Sequence, residues 1–386
     1  MSSCEKLCIL KRKQANGGLL VIGERSVAVF YDERVLEHRP DLESPFLPGR
    51  LDRRVREILS GLGIKWAYPE HPGRITAIRD KLEQQPIAGL EFRGGAVATP
   101  EQLARVHGTS YLNRIDRLRG QAAWLDTDTT AVSPGSVLAA EVAAGSGIAA
   151  VDAVCTGEAQ SAFVLTRPPG HHAEPVRARG FCLFNNVAVA ATHAQAVHGL
   201  ERVLIIDWDA HHGNGTQDIF WTDPSVLFFD IHRGAPFYPG SGALEEVGAG
   251  PGEGYTVNVP LPAGSGNLAY IKAFEEILAP AAEAFRPDLI LVSAGFDAHR
   301  LDLALNVSYE GFAAMTGIVQ RLADQHCPGR LAFILEGGYH LESLANGVHA
   351  VLEILAGGVP PEPGVTGIQE VEEAAEFHRS AFEENR

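Results

Sequence analysis

Residues 205 to 215 read IIDWDAHHGNG, an apolar run that ends in two carboxylates and two imidazoles. In extended backbone, side chains two apart point the same way, so Asp207, Asp209 and His211 share one face while Trp208, Ala210 and His212 take the other. A carboxylate and an imidazole at that spacing can close on one cation. Zinc accepts Asp oxygen and His nitrogen, and a hydrolytic zinc site keeps three protein ligands and one position for water. The third ligand has to come from another segment. Asp297 in SAGFDAH is the natural candidate, behind a glycine that lets the backbone bend. A solvated turn or a calcium loop would explain Asp-x-Asp-x-His taken alone. The double histidine and Asp297 in sister positions argue against both.

Other residues could move protons or hold charge. Amide hydrolysis needs a proton taken from water and one given to the departing amine, and imidazole does both near neutral pH, so His171 and His172 in RPPGHH are acid/base candidates. Tyr339 follows Gly337-Gly338, where a tight turn could aim its hydroxyl at a developing oxyanion. His212, on the opposite face, reads as a satisfied buried polar group. Cys155 and Cys182 read as small buried apolar residues rather than nucleophiles.

These residues need elements to position them. Seven β-branched or apolar runs, SVAVFY (26–31), AFVLT (162–166), RVLIID (202–207), SVLFFDI (225–231), YTVNVPL (255–261), DLILVS (288–293) and LAFILE (331–336), read as strands. Several are continuous rather than alternating, as strands covered on both faces should be. Between them lie helical stretches such as SPGSVLAAEVAAGSGIAAVDAV and SYEGFAAMTGIVQRLADQ. Strand alternating with helix predicts an α/β fold, a single domain with a mostly parallel central sheet flanked by helices. Ligands of open parallel sheets sit outside the carboxyl ends of the strands. The loops RPPGHH, WDAHHGNG, AGFDAH and GGYH should therefore converge on one edge.

Composition narrows the function class. Of 386 residues 45% are hydrophobic, which supplies an ordinary core, and no apolar run looks long enough to span a bilayer. The five cysteines form no CxxC pair, so a reducing cytoplasm is the expected setting. Residues 1–120 carry 20 Lys+Arg against 15 Asp+Glu, while 121–386 carry 12 against 33. An acidic body repels phosphate backbones, so no direct nucleic-acid binding is expected, and the acidic end, 357–386, reads as a solvating extension.

RPPGHH, GFCLFNN (180–186), IIDWDAHHGNG, YPGSG (238–242), SAGFDAH and LEGGY (335–339), in that order, resemble the histone deacetylase superfamily. The likeness covers about residues 26–356 and is greatest to the class II and bacterial branch, which includes histone deacetylase-like amidohydrolases and acetylpolyamine amidohydrolases. It implies one arginase/deacetylase-fold domain over 1–386 and zinc-dependent hydrolysis of N-acetylated amines. It makes Asp209, His211 and Asp297 the zinc ligands, pairs His171 with Asp207 and His172 with Asn214, and selects Tyr339 over His340 as the oxyanion donor. A carboxylate partner favours the imidazolium and a neutral amide does not, so His171 should stay charged while His172 cycles as base and then acid.

The resemblance further implies a narrow tunnel walled by Phe181, after Gly180, and by Tyr238, with Leu303 where polyamine-selective relatives place a glutamate. It implies two potassium sites, one from Phe220, Asp223, Val226 and Tyr255, the other from Asp207, Asp209, His211, Asp230 and Ile231. HRPDLESPFLPGRL (38–51) stands where the family's His-Pro-Glu motif is expected. The expected partner is an acetylated amine, on a lysine peptide or a polyamine, with a homo-oligomer left open. The rival readings are a catalytically idle acyl-lysine-binding module and an arginase-like dimanganese enzyme, which would need more bridging aspartates.

Overall fold

The computed structural model describes residues 25–40, 68–125, 129–303, 305–362 and 369–384. Eight strands make one sheet: β1 (Val27–Tyr31), β2 (Leu90–Gly94), β3 (Ser161–Leu165), β4 (Val203–Asp207), β5 (Val226–Arg233), β6 (Thr256–Leu261), β7 (Leu289–Ala294) and β8 (Leu331–Leu335). Every neighbouring pair runs parallel, in the order β2-β1-β3-β8-β7-β4-β5-β6. The chain therefore returns to the same edge after each strand, and the chemistry-bearing loops gather there.

Alternation within β4 shows how the layers form. Leu204 and Ile206 enter one core with Trp208 and Ala210, while Val203 and Ile205 enter a second core on the other face. The first core is closed by α1 (Gly73–Gln84), a long helix over residues 267–285 (α5) with a π turn at Phe274–Leu278, α6 (Tyr309–His326) and α7 (Leu341–Leu355). The second is closed by α2 (Ser136–Cys155), α3 (Asn186–His198) and the short α4 (Asn214–Phe220), which contributes Phe220. The result is the expected three-layer α/β domain.

Three expectations need correction. By length and composition α2 could cross a bilayer, although no such run was expected; 78% of its apolar stretch is buried against the sheet and α3, so core packing accounts for it. Part of the acidic extension is a helix, α8 (Gln369–Glu384), whose Val371, Ala374 and Ala375 join the first core. His378 Nε2 lies 3.0 Å from the Asn258 carbonyl, so α8 packs at the otherwise open edge strand β6. β2 went unread because LEFRG is largely solvent-exposed and carries no apolar pattern.

Candidate active site

The alternation of β4 continues beyond its last hydrogen bond. Trp208 and Ala210 are buried in the first core, which turns Asp207, Asp209 and His211 to the other side. His211 Nδ1 lies 2.9 Å from Asp209 Oδ1 and 3.0 Å from Asp297 Oδ2, and donor atoms of the three residues all fall within 4.8 Å of one another. Asp297 Oδ1 accepts the Ala210 N–H at 2.8 Å, and Asp209 Oδ2 accepts the Gly337 N–H at 2.9 Å. Close approach requires glycine at 295, where a Cβ would stand 2.0 Å from Asp209 Oδ2.

Electrostatics tie the three side chains together. Burial disfavours charge on His211, yet Asp297 and Asp209 push its pKa up to about 10. Burial and the neighbouring Asp209 push Asp297 up to about 6, against the pull of His211. The Asp297 Oδ2 atom is buried with no hydrogen-bond geometry satisfied. Two carboxylates around one shared imidazole proton form an O, N, O donor set of the kind that suits zinc.

The histidine pair is arranged as expected, with rings 4.0 Å apart. His171 Nδ1 lies 2.9 Å from Asp207 Oδ2, and His172 Nδ1 lies 2.8 Å from Asn214 Oδ1. Asn214 in turn donates to Glu174 Oε1 at 3.0 Å, which fixes its oxygen toward His172. Burial opposes charge on both rings. At His171 the Asp207 and Asp209 carboxylates overcome it and hold the pKa well above the ordinary value. At His172 burial and the positive charges of His171 and His211 drive it well below. The two adjacent rings are thus biased in opposite directions.

Tyr339 sits half-buried behind Gly338, which adopts φ 116, and its N–H donates to Asp302 Oδ2 at 2.6 Å. Its ring meets Phe181 edge-on at 5.7 Å, and the Arg74 guanidinium lies 5.1 Å from the ring centre. Burial holds its hydroxyl well above the ordinary phenol range, so it remains a donor. Phe181 itself has φ 69 and follows Gly180, where a Cβ would fall 2.1 Å from His172 Cδ2. Tyr238 stands edge-on to His172 at 5.1 Å and to His211 at 6.1 Å. Phe237, not singled out from the sequence, stacks on His211 at 4.7 Å. Leu303 is half-buried and its N–H donates to the Asp297 carbonyl at 3.0 Å.

Several supporting residues escaped sequence reasoning. Glu336 is fully buried and its Oε2 accepts the N–H groups of Gly170 (2.6 Å) and His171 (3.1 Å). Glu70 accepts from Arg74 at 2.9 Å and from Arg167 at 2.9 and 2.7 Å. Arg74 then donates to the carbonyls of Gly338 and Glu336. Most of 38–51, read as the counterpart of the His-Pro-Glu motif, lies outside the described residues, and the acid that takes the two buried guanidiniums stands in Tyr68-Pro69-Glu70. A proline-flanked acid beside PGR was the available signal.

The residues of the two expected potassium sites form two groups at opposite ends of β5. Asp207 and Asp230 pair in register across β4 and β5, next to Ile231, and Gly213 N–H donates to Asp230 Oδ2 at 2.8 Å. At the other end, the Phe220 carbonyl accepts from Asp223 at 3.0 Å, Val226 opens the strand, and the Tyr255 carbonyl accepts from Phe228 at 2.8 Å.

An α/β sheet that gathers a histidine pair, a cation-seeking donor set and a phenol at one edge is the arrangement of a hydrolytic enzyme. The Histone deacetylase domain family matches residues 68–355. The chain belongs to that family. It is 40% identical over 327 residues to histone deacetylase 14, chloroplastic, of Arabidopsis thaliana, covering 79% of this chain and 77% of that protein. It is 38% identical over 343 residues to the histone deacetylase-like amidohydrolase of Pseudomonas aeruginosa, covering 86% of this chain and 87% of that one. With human polyamine deacetylase HDAC10 it shares 42% over 333 residues, 81% of this chain but 48% of that protein. The crystal structure of the HDA15 HD domain superposes with a TM-score of 0.82 at 37% identity, covering 94% of this chain and 96% of that one.

Proposed function

We propose that this protein is a zinc-dependent deacetylase that hydrolyses N-acetyl-lysine-type amides to acetate and free amine. The observation that carries the reading is the buried Asp209, His211 and Asp297 donor set, placed against two histidines whose surroundings pull their pKa values in opposite directions. Zinc held by those three residues would polarise the acyl carbonyl and acidify water.

The chain's own groups supply the rest. His172, neutral at rest and oriented by Asn214, takes the proton of the attacking water. His171 keeps its charge beside Asp207 and stabilises the negative charge that builds up. The Tyr339 hydroxyl donates to the oxyanion of the tetrahedral carbon, a contribution of about 3 to 4 kcal/mol for one such donor. The C–N bond then breaks as His172 returns its proton to the amine nitrogen. Phe181 and Tyr238 admit a slim aliphatic stem between them. Leu303 offers no carboxylate to a second ammonium, which supports the lysine reading.

A second reading, an acetylpolyamine substrate, draws support from a cavity beside Asn214 in which three acids, Glu174, Asp218 and Glu246, stand against one cation, Arg179. Potassium at the two β5 ends would be structural. The three described cysteines are free, in keeping with a reducing compartment. The test is a turnover comparison of an acetyl-lysine peptide with acetylputrescine and acetylspermidine on zinc-loaded enzyme, with Asp297→Ala as control. Equal turnover by that control would overturn the hydrolase assignment; faster turnover of the polyamines would select the second reading.

A further inference from the structure

A second cluster with metal-ligand chemistry lies away from the catalytic loops. The carboxyl end of α2 leads into β3 and that of α3 leads into β4, so both helix ends lie at the sheet edge where strands begin. There Asp152 of α2 faces His193 and His198 of α3. Asp152 Oδ1 lies 2.9 Å from His193 Nε2 and 2.7 Å from His198 Nε2, and the three donor atoms fall within 4.8 Å of one another.

We propose that Asp152, His193 and His198 bind a divalent transition-metal ion, with zinc as the representative, and so form a second site independent of the catalytic one. Two imidazoles and one carboxylate are a zinc-type donor set that leaves a fourth position for water. Their burial is graded in the way an ion-entry path requires. The side chains of His193 and His198 are 6% and 18% exposed, while that of Asp152 is 47% exposed. The donors are held by the protein and open on one side.

The helix end makes the convergence possible. Residues five apart do not share a face of a continuous α-helix. His198 is the last residue of α3, and Gly199 closes the helix at φ 66, so the second ring turns back beside the first, with centroids 5.8 Å apart. In the metal-free arrangement the N–H groups of both rings serve Asp152 directly. Metal bonds of about 2.0 to 2.1 Å in a tetrahedron would set the donor atoms about 3.3 Å apart, an opening of only a few tenths of an ångström. Arg105 Nη1, 3.4 Å from His193 Nδ1, faces the ring's far side and would give up that long contact as the proton moves to Nδ1.

The site also has something to tie together. The amino end of α3 carries Asn185 and Asn186, whose side chains donate to the carbonyls of Ala173 and Pro168 and so hold the loop that bears His171 and His172. An ion at the far end of α3, about 20 Å away at 1.5 Å per residue, would pin that helix to α2.

The test is zinc bound per chain after incubation with zinc chloride and desalting, on the full chain and on Asp297→Ala, His198→Gln and the double variant. The expected contents are about two, one, one and none, because each substitution breaks one three-ligand set. Cobalt(II) in the Asp297→Ala protein should give visible absorption bands that vanish in the double variant. Should His198→Gln fail to fold by circular dichroism, Asp152→Asn removes the carboxylate at an exposed position and should have the same effect. Zinc content unchanged by either substitution, or no zinc retained by Asp297→Ala, overturns the site.

Discussion

Two clusters of buried charge lie under the carboxyl edge of the sheet, and they are balanced differently. Around Glu70 the cations outnumber the carboxylate. Glu70, Arg74 and Arg167 have fully buried side chains, the carboxylate takes three guanidinium N–H groups, and the remaining ones reach the carbonyls of Gly338, Glu336, Val35 and His38. Around Asp297 the balance is reversed. Two carboxylates share one imidazole, and Asp297 Oδ2, 3.0 Å from His211 Nδ1, has no well-formed hydrogen bond of its own. The first set is a scaffold of one carboxylate held between two guanidiniums; in the second, two carboxylates crowd a single imidazole, the chemistry of a candidate metal site. Arg74 joins them, since it holds the backbone on both sides of Gly337 and lies beside the Tyr339 ring.

Breaking the Asp297 set should separate activity from stability most sharply. Asp297→Ala should lower turnover of an acetyl-lysine peptide by on the order of 10³-fold or more, as several kcal/mol of charge stabilisation go with the ion. Asp297→Asn, which keeps an oxygen for the Ala210 N–H, should melt no lower than the parent when both lack metal, because one of two crowded charges is gone. A stability loss without an activity loss would reverse the comparison.

Breaking the Glu70 set should do the opposite. Glu70→Gln leaves two buried guanidiniums without their counter-charge, at a cost of about 3 to 5 kcal/mol in denaturant unfolding. An unchanged unfolding midpoint would show that backbone carbonyls alone satisfy Arg74 and Arg167.

The contrast also explains what the sequence made legible. Seven of the eight strands lie within a residue or two of the apolar runs that announce them, and the donor residues stand at their ends, where strand periodicity itself aims the side chains. His171, His172, Asp209, His211, Asp297 and Tyr339 therefore come together as their spacing and the family resemblance led one to expect. Glu70, Arg74, Arg167 and Glu336 carry no periodic signal. Except for the Glu70–Arg74 pair, four residues apart, each is a charge buried by partners 97 to 264 residues away in the chain, which local pattern does not reveal. α8 misled because its exposed face is so acidic that four buried positions, Val371, Ala374, Ala375 and His378, pass unnoticed.

Within the Asp297 cluster, Tyr339→Phe sharpens the division of labour. Losing one oxyanion donor should lower kcat by about 10²- to 10³-fold while leaving zinc content intact. A fall in bound zinc would mean that the phenol shapes the metal pocket instead.

A pH series probes the supports of the histidine loop. His107 Nδ1 lies 3.1 Å from the Glu174 carbonyl and Nε2 accepts the Asn185 N–H at 3.0 Å, a bridge made by the neutral ring. Burial pushes its pKa down to about 4, below the roughly 6.5 of the unfolded chain. Between those values the unfolded state binds more protons, so this contribution is fully present above pH 6.5 and is lost as pH falls toward 4. It amounts to about 3 kcal/mol at most. Unfolding measured from pH 7 to 4.5 should lose part of its acid slope in His107→Gln. A slope identical to that of the parent would remove His107 from this role.

The mildest case lies between the two clusters in character. Lys272 is nearly buried, with its side chain 7% exposed, and pairs with Glu372 of α8 at 2.7 Å, but Glu372 is 59% exposed. Water screens that carboxylate, and Glu276, 3.9 Å away, remains as a second partner. Glu372→Gln should therefore cost under about 1 kcal/mol, and less as salt is raised. A larger, salt-insensitive loss in urea unfolding would show that α8 seals the β6 edge through this pair rather than through Val371 and Ala374. Burial of both partners, and not the presence of opposite charges, is what separates the Glu70 cluster from a surface contact.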